Sequence, residues 1–247
     1  MNRTIVDEPR AADHSSPGVD AWRNRLRAAP RWTPGDAPMV VVVPHPDDET
    51  LGVGGLICQQ RRAGVDVSVV AVTDGDAAYA PNGDPVLAAQ RTQEQNAALD
   101  QLGVAAAARR RLALPDSRVD RFEDDLVAAL MDVLGEIGSA VTLVAPSHLD
   151  VHPDHEAVGR AARRAAAARS IELVTYFFWT WHHRAPHEID GELVGYELTA
   201  ETLGRKFAAL ASHRSQIDDW EGHAPILDAG LLEPTLWANE YFLVSRP

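Results

Sequence analysis

An unusual group of ionisable side chains stands directly behind an apolar run. In VVVPHPDDETLGVGG, residues 41–55, one histidine and three acidic residues fall within five positions: His45, Asp47, Asp48 and Glu49. Such a group beside a buried strand is costly unless a metal ion, an internal ion pair or solvent compensates its charge. The residue types therefore indicate metal or acid–base chemistry, with ion pairing and simple solvation as the alternatives.

A second segment repeats the His-Pro-Asp pattern about a hundred residues later. SHLDVHPDHEAVG, residues 147–159, also leaves an apolar run and contains His152, Asp154 and His155. Acidic, histidine-rich loops that would repel each other can share one divalent cation. We therefore expect the two loops to meet around a single metal ion.

The ligand types favour zinc. Nitrogen and carboxylate oxygen suit Zn²⁺, and a hydrolytic site uses three protein ligands and leaves one position for water. His45, Asp48 and His155 make such a set. Bound water becomes more acidic, and Asp47, which is not needed as a ligand, is the candidate general base. We expect one Zn²⁺ per chain, although Fe²⁺ accepts the same ligands.

Two further residues of the second loop complete the predicted catalytic set. His152 is the candidate for stabilising an oxyanion, and Asp154 is expected to hold the His152 ring in its charged form. Each residue also has a simpler interpretation as a solvated loop residue or a helix cap. Asp154 could cap the helix that follows it, and Asp48 or Thr50 the helix after the first loop.

The glycines of LGVGGL, residues 51–56, invite a dinucleotide-binding interpretation. The third glycine of G-x-G-x-x-G would fall on Ile57, and the acidic residues ahead would repel a pyrophosphate. These glycines are better explained by a helix that approaches a sheet closely.

The elements that must position these residues alternate between strand and helix. MVVVV and VDVSVVAV are continuous β-branched runs, typical of strands buried on both faces of a parallel sheet. Further strands are predicted at RRLAL, VTLVAP, IELVTYFFW, GELVGYEL and NEYFLV, with helices between them, the last over AETLGRKFAALASHRSQI. This order predicts an α/β fold with a mostly parallel sheet, helices on both faces and an irregular C-terminal part. Ligands bind at the carboxyl ends of such strands, where both loops begin.

Residues 1–38 are predicted to be an N-terminal extension and residues 39–247 a single domain. The extension combines a loose polar tail over residues 1–18 with a short amphipathic helix at VDAWRNRLRAAP. The interpretation depends on Pro9, Pro17 and Gly18 in the tail, and on the loop RWTPGDAP that follows the helix.

Composition narrows the possible partners. The chain has 247 residues and a formal net charge of −13, which disfavours binding to nucleic acid or to an anionic membrane. One cysteine, Cys58, cannot form an intrachain disulfide, and no segment resembles a secretory signal or a membrane span. We expect a cytoplasmic protein with a small-molecule substrate, and the sequence indicates no oligomeric state.

The two motifs resemble a known family. PHPDDETLGVGG and HPDH are similar to the paired motifs of the PIG-L/LmbE superfamily of zinc-dependent N-acetylglucosaminyl deacetylases, over residues 39–217. The resemblance implies a Rossmann-like fold, an amino-sugar substrate, and the ligand, base and oxyanion roles assigned above. It also implies that Arg91 and Asp116 contact the sugar. Their alternatives are an ion pair of Arg91 with Glu94 on an exposed helix face, and a turn residue after Pro115.

The chain also departs from the family pattern. Members of the mycothiol pathway carry a tyrosine two residues before HPDH, where this chain has Asp150, an anion that cannot stabilise an oxyanion. This argues against a role in mycothiol synthesis. SHRSQ, residues 212–216, resembles a C-terminal family element to which the sequence assigns no role.

The motifs predict a hydrolase that removes an acetyl or longer acyl group from an amino sugar. The first alternative is an amidase acting on another amide, such as a thiol conjugate, because the same chemistry serves any accessible amide. The second is a non-catalytic sugar- or metal-binding module, although binding alone would not need Asp47, His152 and Asp154.

Overall fold

The computed structural model describes residues 17–247, so residues 1–16 of the predicted tail lie outside the described residues. Pro17 and Gly18, predicted to belong to the tail, instead begin the first helix. The strands are β1 Met39–Val43, β2 Val67–Ala71, β3 Arg109–Arg111, β4 Thr142–Pro146, β5 Glu172–Tyr176, β6 Leu193–Glu197 and β7 Asn239–Ser245. The helices are α1 Pro17–Leu26, α2 Asp48–Arg62, α3 Pro85–Leu102, α4 Glu123–Ile137, α5 Pro153–Arg169, α6 Thr180–His183, α7 Ala200–Leu210, α8 Arg214–Ile217 and α9 Ala229–Leu232.

Within residues 17–247, the seven strands form one sheet in the order β3-β2-β1-β4-β5-β7-β6. The five strands from β3 to β5 are mutually parallel, and β7 runs antiparallel to both of its neighbours. The predicted mostly parallel α/β fold is therefore confirmed. From β1 the chain winds outward through β2 and β3, and from β4 it winds the other way, so a crevice opens between the carboxyl ends of β1 and β4.

Alternate residues of each central strand face opposite helical layers. Val41 and Val43 of β1 pack into a core with α2, α3 and α7, whereas Val40 and Val42 pack into a second core with α4 and α5. All four valines are completely buried. Burial on both faces explains why the strands are continuous apolar runs rather than alternating ones.

The glycines of α2 let this helix lie close to the sheet. A Cβ on Gly52 would come within 2.4 Å of the Tyr176 ring, and one on Gly55 within 2.4 Å of Leu198. The interpretation of these glycines as close-approach residues is confirmed.

Two predicted elements end earlier than expected. The strand predicted over residues 171–179 stops at Tyr176, because the backbone N–H groups of Phe178 and Thr180 donate to the carboxylate of Asp150 instead of a neighbouring strand. The helix predicted over residues 200–217 divides into α7 and α8. Between them the side chain of His213 turns inward onto α2.

The N-terminal helix packs onto the C-terminal part of the chain. In α1, Trp22 is completely buried, donates from Nε1 to the Arg184 carbonyl and meets Trp181 edge to face at 4.9 Å. Trp32, in the loop that follows, belongs to the core beside α2. The short helix is thus present, and the domain boundary at residue 39 stays a prediction.

Candidate active site

The two His-Pro-Asp loops lie side by side because their strands are neighbours. β1 pairs with β4 in parallel register, so the turns after Val43 and after Pro146 leave the same edge of the sheet. Helices α2 and α5 begin at the end of these turns. Asp48 and Asp154 occupy the first turns of the two helices, where the helix dipole stabilises negative charge.

Asp48 joins the two histidines predicted to bind metal with it. Its Oδ2 lies 3.4 Å from Nδ1 of His45 and 3.3 Å from Nε2 of His155. Tetrahedral zinc ligands with bonds of about 2.0–2.1 Å are about 3.3–3.4 Å apart, so both separations suit ligands of one ion. His155 and Asp48 are buried, and His45 is the most accessible of the three.

His45 also belongs to two neighbouring groups of ligating atoms. The atoms lie within 4.8 Å of one another in the sets His45, His152, His155 and His45, Asp116, Asp154. Nε2 of His45 is 3.3 Å from Asp116 and 3.2 Å from Asp154. The donors around His45 are imidazole nitrogens and carboxylate oxygens, a combination that suits a borderline divalent cation such as Zn²⁺ or Fe²⁺.

The carboxylates around His45 and His155 favour positive charge at this place. Burial lowers the pKa of His45, but hydrogen bonds with Asp116, Asp154 and Asp48 raise it well above its usual value. Burial likewise opposes the charged form of His155, and the charge of Asp48 and the bond with Asp150 raise its pKa to about 9. The surroundings therefore stabilise a cation, which agrees with the chemistry of the donor set.

Asp47 lies next to Asp48 in the sequence, but its side chain does not cap the helix that follows. It is the N-cap residue of α2, yet its side chain makes no capping hydrogen bond, and it lines the cleft above the sheet. Burial and the negative charge of Asp48 raise the pKa of Asp47 to about 7. Its backbone has φ 140° and ψ −31°, a conformation that non-glycine residues rarely adopt.

His152 and Asp154 interact differently from the sequence-based expectation. The Asp154 carboxylate accepts hydrogen bonds from the backbone of Ser117 and Val119 and contacts His45. His152 is itself the N-cap of α5, and its Nδ1 accepts from the backbone N–H of Asp154. Burial and the charges of the neighbouring histidines lower the pKa of His152 to about 3. The ring is therefore neutral rather than held in its charged form.

The two residues assigned to the sugar by resemblance both line the cleft. Arg91 is 4% exposed and donates through Nη1 to the Gly75 carbonyl, while Nε and Nη2 have no hydrogen-bond partner among the described residues. The alternative of an exposed ion pair with Glu94 is wrong, because Arg91 is buried. Asp116 accepts from the Ala77 backbone at 2.8 Å and also borders the cleft.

Sequence reasoning missed the role of Asp150. This carboxylate is completely buried, and its Oδ2 lies 2.8 Å from Nδ1 of His155. A carboxylate on the second ring nitrogen orients a ligand histidine and selects the tautomer that presents Nε2 to the metal. The sequence feature that could have indicated this pairing is the position of Asp150, five residues before His155. Metal-binding histidines usually hydrogen-bond a carboxylate or carbonyl through their second ring nitrogen.

The SHRSQ segment, to which the sequence assigns no role, lies against the first loop and α3. Its His213 contacts Glu49 and Thr50 of α2, and Gln216 donates to the Pro46 carbonyl in the first loop. Ser215 donates from its backbone and hydroxyl groups to Glu94 of α3. The segment thus ties the first loop to α3, a contact that no local sequence pattern reveals.

The cleft is also lined by apolar and aromatic side chains. These are Leu51, Phe178, Trp179, Ile226 and Leu227. The Trp179 ring stacks over His152 at 6.2 Å between centroids. Of the aromatic residues in the segment 176–190, Phe178 and Trp179 therefore border the cleft, whereas Trp181 belongs to the core against α1.

Comparison with known proteins identifies the family. The family described as PIG-L, GlcNAc-PI de-N-acetylase, matches residues 40–166, just over half of the chain, including both His-Pro-Asp loops. The chain belongs to the PIG-L family. This membership confirms the family expected from the motifs.

Other PIG-L relatives match over most of the chain. A probable N-acetyl-alpha-D-glucosaminyl L-malate deacetylase 2 of Bacillus subtilis is 30% identical over 82% of this chain and 97% of its own length. A 1D-myo-inositol 2-acetamido-2-deoxy-alpha-D-glucopyranoside deacetylase of Gordonia bronchialis is 28% identical, over 83% of this chain and 93% of its own. Among solved structures, the A40926 pseudoaglycone deacetylase Dbv21 aligns with a TM-score of 0.64 and 26% identity, over 86% of this chain and 98% of that one.

The helices of the described residues are too short or too polar to span a membrane. Between residues 17 and 247, no helix combines the length and apolar character that crossing a bilayer requires.

Proposed function

We propose that this protein is a hydrolase that removes an N-acetyl or other N-acyl group from a small amino-sugar derivative. The observation that carries the proposal is the position of Asp47, a buried carboxylate in the cleft beside His45, Asp48 and His155. Family membership and the names of the relatives, which are deacetylases of glucosamine derivatives, support the same reaction.

One divalent cation, Zn²⁺ or alternatively Fe²⁺, is proposed to bind His45, Asp48 and His155. The two contacts of Asp48 Oδ2 and the mixed nitrogen and oxygen donors support this ligand set. When bound, the ion would polarise the acyl carbonyl and make water more acidic. Asp150 would orient the His155 ring through Nδ1.

The chain's own groups would carry the proton transfers. Asp47 would accept a proton from the attacking water and return it to the amine that leaves, as one group acting first as base and then as acid. Neutral His152, whose ring lies beside His45 and His155 in the cleft, would donate a hydrogen bond to the oxygen of the tetrahedral intermediate. Asp154 would act by orienting His45, which it contacts at 3.2 Å.

The lining of the cleft suggests what the substrate contacts. Arg91 has two guanidinium nitrogens without a partner among the described residues, and Asp116 is an acceptor at the cleft surface, so these two residues suit sugar hydroxyls. The apolar lining residues, which include Leu51, Phe178 and Leu227, suit the alkyl part of the acyl group.

The proposal is tested with Asp47→Asn, which keeps the side-chain shape and removes the base. We expect kcat on an N-acetylglucosamine derivative to fall by about 10²–10⁴-fold, the usual contribution of general base catalysis, with bound metal unchanged. His45→Ala should lose both metal and activity. Metal content is measured by elemental analysis, and turnover by amine release from a panel of N-acyl sugars and other amides.

The control is Asp66→Asn, a change at an exposed aspartate far from the cleft, which should leave kcat and metal content as in the parent. Full activity of Asp47→Asn would refute the assignment of the base. If the protein hydrolyses non-sugar amides but no N-acyl sugar, it is an amidase and the proposed substrate class is wrong. Stoichiometric metal without hydrolysis of any amide would indicate a binding module.

A further inference from the structure

The backbone of Asp47 is held in a conformation that it would not adopt alone. A φ of 140° brings the side chain of an L-residue into conflict with its own backbone. Such strain persists only where the surrounding structure imposes it, and it is common where a side chain must be aimed precisely. Here the side chains of Glu49 and Gln216 hold the backbone of Asp47 in this conformation.

The peptide group that joins Pro46 to Asp47 is held at both its N–H and its carbonyl by buried side chains. The Asp47 N–H donates to Oε2 of Glu49 at 3.3 Å, and the Pro46 carbonyl accepts from Nε2 of Gln216 at 2.7 Å. The Asp47 carbonyl accepts from Thr50 and Leu51 in the first turn of α2. The residue is thus restrained on both sides of its Cα.

Glu49 is itself fixed from three directions. Its Oε1 lies 3.2 Å from Nε2 of His213 and 3.1 Å from the Thr50 hydroxyl, and Gln95 of α3 donates to Oε2 at 2.9 Å. Glu49 and His213 are both 0% exposed, and neither lines the cleft. They cannot touch a molecule bound in the cleft, so any effect they have on the reaction must pass through Asp47.

We propose that Glu49 and His213, assisted by Gln216, are positioning residues that hold the Asp47 carboxylate in place for proton transfer. The inference rests on the proposed function, in which Asp47 is the base. It assigns a role to the third acidic residue of the first loop and to the SHRSQ segment: Glu49 and His213 form a buried support behind the cleft, and Gln216, which borders the cleft, holds the Pro46 carbonyl. A base displaced by about 1 Å can lose about 100-fold in rate, so such a support has a measurable effect.

The test compares Glu49→Leu, which removes the acceptor for the Asp47 N–H, with Glu49→Gln, whose amide can still accept from Asp47 and Gln95 while donating towards neutral His213. We expect kcat to fall about 100-fold in Glu49→Leu, with KM changed less than about threefold and zinc affinity unchanged. Glu49→Gln should remain within about fivefold of the parent. Hydrogen exchange of the Asp47 amide should accelerate in Glu49→Leu only.

The matched control is Glu240, a second buried carboxylate bound to the same helix. It accepts from the backbone of Gly55 and Leu56 and pairs with Lys206 at 2.8 Å. Glu240→Leu should destabilise the protein while leaving kcat per folded molecule within about twofold of the parent and the Asp47 amide protected. If Glu49→Leu does not fold, Thr50→Val, which removes the hydroxyl beside Glu49 Oε1, is expected to lower kcat about fivefold.

Three results would overturn the inference. The first is an unchanged kcat and an unchanged protection of the Asp47 amide in Glu49→Leu, or in Thr50→Val if Glu49→Leu does not fold. The second is a loss of kcat in Glu49→Gln equal to that in Glu49→Leu, and the third is the same loss of kcat in Glu240→Leu. Failure of the proposed function would look different. The parent would then hydrolyse no amide, while the exchange pattern of the Asp47 amide could still be as expected.

Discussion

The carboxylate of Asp150 connects the chemistry of the site to the local course of the chain. One oxygen meets His155 Nδ1, and the other accepts from the backbone of Phe178 and from the backbone and hydroxyl of Thr180. The same side chain therefore orients a proposed ligand and ends β5. From the sequence alone, Asp150 appears only as a departure from the tyrosine found in mycothiol-pathway members. In the structure it contacts His155 and fixes the backbone after β5.

Asp150→Asn tests this role. The amide can satisfy either the backbone donors or Nδ1–H of His155, but not both, because one of its two atoms is now a donor. We expect the affinity for Zn²⁺ to fall by about 10–100-fold, the usual effect of losing a partner that orients a ligand. Affinity is measured by competition with a chelator.

The control for this variant is Asp84→Asn. Asp84 caps α3 by accepting from the Val86 N–H, a role that asparagine performs equally well. Zinc affinity should be unchanged in this control. Parental affinity in Asp150→Asn would contradict the assigned role.

At the scale of elements, the site depends on how closely α2 lies on the sheet. The helix carries Asp48 and Glu49 at its start, and Gly52 one turn later lets it pass over the Tyr176 ring. Tyr176 in turn donates to the Val42 carbonyl, which fixes its position at the end of β5. A side chain at residue 52 would therefore displace the start of α2.

We expect Gly52→Ala to destabilise the protein by about 1–3 kcal/mol, the usual cost of overfilling a packed core. Gly135→Ala in α4 is the matched control, because a Cβ there meets no atom within 4 Å. This change should stabilise the protein by about 0.4–1 kcal/mol, since alanine has less backbone freedom to lose. Both are measured by urea unfolding, and equal shifts of the two midpoints would contradict the packing argument.

At the scale of the whole molecule, the C-terminal third of the chain packs against α2 and the first His-Pro-Asp loop. Lys206 and Glu240 are buried against α2, His213 pairs with Glu49, and Gln216 reaches the first loop. Most of these contacts join residues more than 150 positions apart. Changes at His213 and Gln216 should therefore affect both stability and the cleft, whereas changes at Lys206 and Glu240 should affect stability.

His213 makes this coupling dependent on pH. Burial lowers its pKa, but the hydrogen bond and charge of Glu49, with Asp47 and Glu94 nearby, raise it above its usual value of 6.5. A raised pKa in the folded state means that protonated His213 stabilises the fold. This contribution is complete below about pH 6.5 and is lost as the pH rises through the pKa of the folded state.

In the metal-free protein, we therefore expect His213→Gln to reduce the free energy of unfolding more at about pH 6 than at about pH 9. Urea unfolding of parent and variant at the two pH values measures the difference. His187 is exposed, and His187→Gln serves as the control. This substitution should change the free energy of unfolding by the same small amount at the two pH values. An equal loss for His213→Gln at both pH values would show that its charge does not contribute.

The sequence by itself determined the order of the elements, the parallel sheet and the two loops that meet at its edge. These follow from local physics: β-branched runs buried on both faces, helical periodicity, and His-Pro-Asp segments at the ends of strands. It also predicted, from the two His-Pro-Asp motifs, that Asp48 lies near both His45 and His155. In the structure its Oδ2 is 3.4 Å from Nδ1 of His45 and 3.3 Å from Nε2 of His155.

Only the tertiary structure decided which partner each polar side chain takes. Asp154 turns to His45 rather than His152, Arg91 is buried in the cleft rather than paired on the surface, and Glu49 meets His213 from the far end of the chain. Periodicity indicates which face of an element is buried. The atoms that meet on that face depend on strand order and helix packing between segments far apart in the chain, and no local pattern encodes those distances.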